Sequence, residues 1–458
     1  MAQWVDEELS TLDLGDTRRN QRVKHMVAKM ADRPGGSVPQ VFETRAEAVA
    51  AYRALSSDAV EAEAIVSAAR DACVKRMLGH RLVLAIQDTT SFSFAKHPAT
   101  EGTGPLSDPH WLGFFLHDVL AVSADGIPLG LVHHKVWARD PDKPGTRAKR
   151  KQRPFAEKES FRWVESLRAV HEQMPPEVTV VTVADREADI FEVFAAPRPE
   201  GSELLIRAAY NRRLLDDERQ LWDAVAAEPV AGELTVALRR HPQRRPREAR
   251  LQVQHRTVVL SPPHYRVEGT VFEPVTVQAI LVTELSAPEG ETPIRWQLLT
   301  TLPVDGFDAA RECVRYYSLR WLIERYHFVL KSGCRIEQSQ LRTAERLERL
   351  LALYFVVAWR LLWLTYAARA DGAQPCTVGF TDLEWKVAYQ VTHSGKALPD
   401  KPPNLNQIVR MVASLGGFLG RKGDGEPGVK VLWRGLMRLQ DIVLGVQLAS
   451  DPINVCNA

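Results

Sequence analysis

Two acidic residues stand where apolar segments of the chain end. Residues 82–86 and 178–183 are short apolar runs typical of buried strands, and Asp88 and Asp185 follow them within two residues. Ligands of open α/β sheets bind at the carboxyl ends of the strands, so both carboxylates are expected at one sheet edge. Either aspartate alone is also a common turn or helix-cap residue, but the repeated arrangement favours a shared site.

A third acidic residue lies on a helix predicted over residues 308–330. Tyr317, Arg320, Glu324 and Lys331 follow at intervals of three, four and seven residues, which places them within an arc of roughly 60°. A solvent-exposed face with a simple Arg320–Glu324 pair would have the same spacing. Because the helix is also rich in large apolar residues, we expect it to be buried and its polar stripe to line a cleft.

The three carboxylates predict a metal site for phosphoryl transfer. Gathered at one sheet edge they would repel each other unless cations neutralised them. Hard oxygen ligands suit two Mg²⁺ ions, with Mn²⁺ as a substitute, and such a pair can activate an attacking oxygen and stabilise a leaving one. The substrate would be a phosphodiester, with Arg320 and Lys331 holding phosphates beside the scissile bond and Tyr317 adding a hydroxyl donor.

The surrounding sequence predicts a multidomain α/β protein. Residues 1–75 have apolar positions at helical spacing and predict a small helical domain, whereas residues 76–370 alternate strands and helices. Within them, about 211–293 are predicted to form a β-rich insertion. Residues 371–458 are predicted to be a separate helical unit.

Composition argues against a disordered, fibrous or membrane protein. The 458 residues are enough for two to four domains, and 45% hydrophobic with 25% charged residues is typical of a soluble globular protein. The longest apolar run, residues 350–359, is about half the length that crosses a bilayer. No signal peptide is visible after Met1, so a cytoplasmic location is expected. The five cysteines are scattered and are interpreted as reduced thiols.

The net charge of +2 conceals two basic runs. One lies between Arg147 and Arg153 and the other spans residues 239–250. Such clusters on a nearly neutral chain suit a polyanionic partner, although solvated loops have the same composition.

The residues around the three carboxylates resemble the motifs of the insertion-sequence-4 transposases. The chain has DTT at 88–90, DREAD at 185–189 and the pattern Y-x2-R-x3-E-x6-K from Tyr317 to Lys331. Further similarity lies in LGD at 14–16, EKES at 157–160 and GFLGRK at 417–422. In particular the chain resembles bacterial cut-and-paste transposases of the Tn-five type.

This resemblance implies a ribonuclease-H-like core with an all-β insertion, an N-terminal domain that binds transposon ends and a C-terminal helical dimerisation domain. It assigns Asp88, Asp185 and Glu324 as metal ligands of a DDE transposase that acts as a homodimer on double-stranded DNA. In that family water nicks the first strand, and the freed 3′-hydroxyl attacks the opposite strand to form a hairpin. After the hairpin reopens, the same hydroxyl attacks target DNA.

The resemblance also suggests DNA contacts. Trp296 matches the position of a tryptophan on which a flipped-out base stacks, with a core tryptophan as the alternative. Arg207 and Arg212 are interpreted as a clamp on the displaced strand. Arg18 and Arg19 are expected to contact phosphates from the N-terminal domain, with a solvated helix face as the alternative. No metal role is expected for the strand histidines His117, His133 and His134.

Two other functions have the same motifs. One is a catalytically silent relative that binds transposon ends or inhibits transposition without cutting. The other is a ribonuclease-H-like nuclease that only hydrolyses, which would need the three carboxylates but not Trp296 or a paired complex. Strand-transfer products would distinguish a transposase from both.

Overall fold

A computed structural model describes residues 3–42, 44–108, 110–142, 154–238, 247–263 and 272–450. Over these residues the N-terminal part is helical, with α1 (Gln3–Glu8), α2 (Thr17–Asp32), α3 (Val38–Val41), α4 (Arg45–Leu55) and α5 (Ala62–Met77). Asp16 caps α2 by accepting a hydrogen bond from the Arg18 N–H at 2.7 Å, and Thr44 with Glu47 forms a capping box on α4. Helix α5 packs on the sheet and on the long central helix described below.

The described strands form one mixed sheet of ten strands. They are β1 (Leu82–Ser93), β2 (Gly104–Pro105), β3 (Leu112–Ser123), β4 (Pro128–Trp137), β5 (Thr179–Ala184), β6 (Ser202–Arg207), β7 (Gly232–Leu238), β8 (Arg247–Leu260), β9 (Val275–Glu284) and β10 (Arg295–Thr300). The antiparallel strands β4, β3 and β1 are followed across the sheet by β5 and β6, which run parallel to β1. The apolar runs that predicted β1 and β5 are buried.

Helices cover both faces of this sheet. Helices α6 (Arg162–Gln173), α7 (Phe191–Ala195) and α8 (Leu221–Ala226) contribute buried apolar side chains to one core with strands β5, β6 and β8 to β10. The larger core on the other face includes the helices that follow β10. Short 3₁₀ turns lie at Phe155–Glu157, Glu159–Phe161, Arg186–Ala188, Ile336–Gln338 and Cys376–Val378. This architecture, with its helical N- and C-terminal regions, confirms the predicted ribonuclease-H-like fold class.

The β-rich segment predicted for residues 211–293 extends the central sheet. Strands β7, β8 and β9 follow one another antiparallel, and β9 pairs with β10, which in turn pairs antiparallel with β6. The segment also contains the short helix α8. Hydrogen bonding between strands therefore continues from the core into the insertion without a break.

The C-terminal half is helical around one buried helix. Its elements are α9 (Phe307–Ser318), α10 (Trp321–Phe328), a π-helical turn at Val329–Gly333, α11 (Ala344–Ala370), α12 (Asp382–Thr392), α13 (Leu405–Leu415) and α14 (Val429–Ser450). Of the described helices, α11 alone is long and apolar enough to span a membrane, but 89% of its apolar window is buried inside the protein. It is packed against α2, α5, α13 and β4 as a core helix.

The prediction of one continuous helix over residues 308–330 is wrong. Helix α9 ends at Ser318, α10 begins at Trp321, and the chain then takes a π-helical turn. Each interruption changes the angular spacing of side chains, so the polar residues from Tyr317 to Lys331 do not lie on one ideal helical stripe. Tyr317 lies on α9, Arg320 in the turn before α10, Glu324 on α10 and Lys331 in the π-helical turn.

Candidate active site

The two aspartates predicted at one sheet edge lie side by side. The parallel strands β1 and β5 pair up to Ile86 and Val183, so Asp88 and Asp185 stand two residues beyond the same pair. Asp88 is also paired directly with Asp118 on β3. The Asp185 carboxylate accepts a hydrogen bond from the Glu187 N–H at 2.8 Å and thereby caps the following 3₁₀ turn.

Asp118, Asp88 and Asp185 form a row of neighbouring residues that continues across the sheet. Strands β5 and β6 pair up to Ala184 and Ile206, so Asp185 stands next to Arg207, and Arg207 pairs with Leu298 on β10. Trp296 is two residues from Leu298 on the same strand and therefore faces the same side. The fold thus brings carboxylates, an arginine and a tryptophan to one edge of the sheet.

Glu324 reaches this edge from helix α10, which packs on β1. The Arg320 guanidinium donates a hydrogen bond to the Glu324 carboxylate, and its Nη1 lies 3.9 Å from Oδ2 of Asp88. The side chain of Glu324 is 55% exposed, whereas that of Arg320 is 18% exposed. Arg320 therefore contacts both carboxylates from the centre of the site.

The electrostatics of the aspartates suit a divalent cation. Burial, with a contribution from Asp185, raises the pKa of Asp88 to about 6, although His327, the Thr89 N–H and Arg320 oppose the rise. A cation would remove this repulsion between neighbouring carboxylates, and their oxygens are the ligands that Mg²⁺ and Mn²⁺ prefer. Among the described residues no three acidic, histidine or cysteine side chains converge closely enough to hold one ion. Here Arg320 holds the Glu324 carboxylate.

Aromatic and basic side chains flank the carboxylates. The rings of Trp296 and Tyr317 meet edge to face with centroids 5.3 Å apart, and Arg207 lies near the Tyr317 hydroxyl, where its charge opposes the rise of the Tyr317 pKa that burial causes. Arg207 also donates to the backbone carbonyl of Arg295 at 3.1 Å. Lys331 lies over the ring of Phe92 on β1, with Nζ 5.6 Å from the ring centroid. Of the residues predicted to hold DNA, Tyr317, Trp296 and Arg207 therefore form one cluster.

The other predicted DNA contacts have different surroundings. Arg212 ion-pairs with Asp189, whose side chain is fully buried, and donates to the Asp189 backbone carbonyl at 2.6 Å. Both contacts come from Nη2, so one nitrogen of the Arg212 guanidinium is tied to the fold. Arg18 and Arg19 are exposed on the first turn of α2, where Arg19 also donates to the Leu14 carbonyl at 2.9 Å.

The described part of the second basic run is engaged in ion pairs. Arg247 pairs with Glu284 and, at 3.0 Å, with Glu291, while Arg250 lies 2.8 Å from Glu233. Residues 239–246 of that run, and the run from Arg147 to Arg153, lie outside the described residues.

The sequence analysis missed three polar residues that support the site. His327 lies between Asp88 and Asp118, with Nδ1 3.8 Å from the Asp88 Oδ2 and Nε2 2.8 Å from the Asp118 Oδ1. Arg162 on α6 donates to the Thr89 hydroxyl at 2.9 Å and to the Glu187 carboxylate at 2.7 Å, so it links the two aspartate motifs. The sequence held weak signals for these residues: a charged residue inside the apolar strand β3, and a histidine three positions after Glu324.

Two of the strand histidines, His117 and His134, contact other side chains of the fold. His117 shares a 2.9 Å hydrogen bond with the Thr89 hydroxyl and meets Trp163 edge to face. His134 packs edge to face on Phe355. Burial lowers the pKa of His133 and of His134 to about 4.

Three family models match the chain, and together they cover most of it. The model described as transposase DNA-binding matches residues 1–60, the transposase DDE domain matches residues 157–360, and the transposase Tn5 dimerisation domain matches residues 356–453. The DDE match contains Asp185 and Glu324 but begins after Asp88, which strand register and its contact with Arg320 place at the same site.

Proposed function

Since this chain belongs to the DDE transposases of the Tn5 type, which cut and join DNA in metal-dependent reactions, we propose that it is a cut-and-paste transposase. Asp88, Asp185 and Glu324 would hold two Mg²⁺ ions, for which Mn²⁺ would substitute. The observation that carries this proposal is the register of β1 and β5, which puts Asp88 beside Asp185 below the helix of Glu324.

The carboxylates and the cations would act on a DNA phosphodiester. Bound divalent cations supply activation of the attacking oxygen and stabilisation of the leaving oxygen. The two aspartates fix the ligand oxygens because their strands are buried and hydrogen-bonded on both sides. Glu324 is the most exposed of the three carboxylates, so its side chain would be able to leave Arg320 and join the two aspartates in holding a cation.

The basic and aromatic residues would hold the DNA end. Arg320 lies beside Asp88, and Lys331 lies over Phe92 of the same strand. Both would bind phosphates on either side of the scissile bond, with Tyr317 as a hydroxyl donor. Trp296 would stack on a base flipped out of the duplex, which supports a hairpin pathway because a hairpin requires a sharp bend. Arg207, beside Tyr317, would bind the displaced strand.

The partners follow from the three matched domains. DNA binding and dimerisation belong to the protein, since its N-terminal and C-terminal residues match domains of those functions. We propose that a homodimer assembles on the inverted repeats at the transposon ends, with Arg18 and Arg19 contacting phosphates, and then engages target DNA. Such an enzyme would work in the cytoplasm on the DNA of the nucleoid.

The test uses a labelled DNA fragment that carries the inverted repeat bordering this gene. We expect cleavage at the edge of the repeat in Mg²⁺, hairpin products, and joining of the 3′-hydroxyl to added plasmid. Glu324→Gln should abolish all three reactions while the protein still binds the fragment. The matched control is Glu312→Gln, which removes a glutamate of α9 that pairs at 2.7 Å with Arg315 of the same helix.

The products separate the transposase from its alternatives. Nicking without joining would indicate a nuclease that only hydrolyses. Binding of the repeat by the wild-type protein, with no cleavage in Mg²⁺ or Mn²⁺, would contradict the proposal and indicate a silent relative.

A further inference from the structure

A buried carboxylate lies next to the active site and has no role in the chemistry above. Asp118 on β3 is fully buried and is paired directly with Asp88 in the antiparallel register. Directly opposed residues of antiparallel strands project their side chains to the same face, with Cβ atoms about 5 Å apart. The fold therefore places two carboxylates side by side, and like charges in that position destabilise a sheet unless a third group separates them.

His327 is the group between them. Its Nε2 is 2.8 Å from Oδ1 of Asp118 and its Nδ1 is 3.8 Å from Oδ2 of Asp88. The imidazole is itself buried, with 8% of its side chain exposed. Because a carboxylate accepts hydrogen bonds, Nε2 carries the proton in this pair, and the ring orientation is fixed by a partner that cannot move out of the sheet.

The same histidine belongs to the helix that carries Glu324. Both residues lie on α10, three positions apart and thus about one turn from each other. The helix is held on its other side by the Tyr326 hydroxyl, which donates to the Phe355 carbonyl of α11 at 3.1 Å. Within the described residues, the His327–Asp118 hydrogen bond is the polar contact that ties α10 to strand β3.

We propose that His327, held by Asp118, is a positioning residue that fixes α10 against β1 and thereby sets the separation of the Asp88 and Glu324 carboxylates. This inference rests on the proposed function, because it assigns a role towards cations bound by those two residues. His327 acts through the helix and through Asp88, and takes no part in bond breaking. Loss of a partner that orients metal ligands typically lowers metal affinity by about 10- to 100-fold.

The experiment compares His327→Leu with His327→Gln in the full-length chain. Leucine fills the space but cannot bond to Asp118, whereas the glutamine amide can donate to it. Three quantities are measured: binding of the repeat-bearing DNA without metal, binding of Mn²⁺ by electron paramagnetic resonance, and the cleavage rate against Mg²⁺ concentration. The matched control is His134→Gln, a histidine whose side chain is also 8% exposed but which packs on Phe355.

We expect His327→Leu to raise the half-saturating concentrations of Mn²⁺ and Mg²⁺ by about 10-fold or more. Its binding of DNA without metal should be unchanged. Glutamine should restore most of the metal affinity, and the His134 control should match the wild type. If leucine lowers the yield of folded protein, Asp118→Asn still tests the contact, because it replaces the charged acceptor of the hydrogen bond by a weaker neutral one.

A double variant gives a second criterion. If Asp118→Asn and His327→Leu act through one contact, their combination should raise the half-saturating concentration no more than the more harmful single change. Unchanged metal binding in His327→Leu, or effects of the two changes that multiply, would overturn the positioning role. Failure of the wild-type protein to cleave DNA in either metal would instead contradict the proposed function.

Discussion

Arg207 and Arg212 are separated by only five positions, yet the structure predicts that replacing each by methionine affects a different property of the protein. Arg212 ion-pairs with Asp189, whose side chain is fully buried, and also donates to its backbone carbonyl at 2.6 Å. Arg207 donates to the Arg295 carbonyl at 3.1 Å at the edge of the active site. We expect Arg212→Met to affect mainly folding and Arg207→Met to affect mainly DNA binding.

The loss of unfolding free energy in Arg212→Met depends on the hydrogen bonds that Asp189 keeps. Removing one partner of a buried ion pair costs about 3–5 kcal/mol in the free energy of unfolding. Asp189 keeps two backbone donors, the Ala209 N–H at 2.7 Å and the Tyr210 N–H at 3.1 Å, so the lower end applies. A loss of about 3 kcal/mol lowers the melting temperature of a folding unit of about 150–250 residues by about 6–12 °C. Arg207→Met loses one partly exposed hydrogen bond, worth about 1 kcal/mol.

The assays are thermal unfolding and the salt dependence of DNA binding. Arg207→Met should reduce the slope of log affinity against log salt by about 0.9, since one phosphate contact is lost, while its melting temperature changes by about 2–4 °C. Arg212→Met should bind DNA with the wild-type slope at a temperature where it is folded. Wild-type stability of Arg212→Met together with a reduced slope would refute the assignment of Arg212 to the fold.

Three further predictions concern other parts of the molecule. Arg162→Met should lower the free energy of unfolding by about 2 kcal/mol in chemical denaturation, because the charged hydrogen bond to Glu187 and the bond to Thr89 are lost; an unchanged midpoint would contradict this linking role. Trp296→Ala should remove base stacking worth roughly 1–3 kcal/mol, so hairpin products should decrease on sequencing gels while first-strand nicking persists. Equal loss of both products would argue against stacking. Replacing the five basic residues between Arg147 and Arg153 by glutamine should flatten the salt dependence of target-DNA binding by up to about 0.9 per phosphate contact, and an unchanged slope would identify a solvated loop.

The two aspartates were predictable because they follow local patterns. An apolar run of strand length that ends in a carboxylate marks the edge of a sheet without any knowledge of the partner strand. The structure confirms both apolar runs as strands, although β1 does not end before Asp88 as predicted but continues to Ser93. The pairing of β1 with β5 ends at Ile86 and Val183 and brings Asp88 and Asp185 together. The metal role of these residues stays a prediction until cleavage is measured.

The supporting residues were not predictable because they depend on contacts between distant segments. Asp118 and His327 are separated by 209 positions, and no local pattern pairs them. The helix over residues 308–330 failed for a different reason: periodicity assumes constant geometry, whereas α9 ends at Ser318, α10 begins only at Trp321 and a π-helical turn starts at Val329. Nor does the sequence reveal that Arg212 ion-pairs with the buried side chain of Asp189.

The β-rich segment between β6 and β10 explains how residues far apart in the chain reach one edge. Asp118, Asp88, Asp185 and Arg207 form one row across β3, β1, β5 and β6, and the row continues to Leu298 on β10. Pairing of β10 with β6 sets this register, and the other edge of β10 is covered by β9 of the inserted segment. Because a shift by one residue would turn every side chain of β10 to the opposite face, the position of Trp296 beside Tyr317 depends on both pairings. The insertion is therefore part of the scaffold that builds the site.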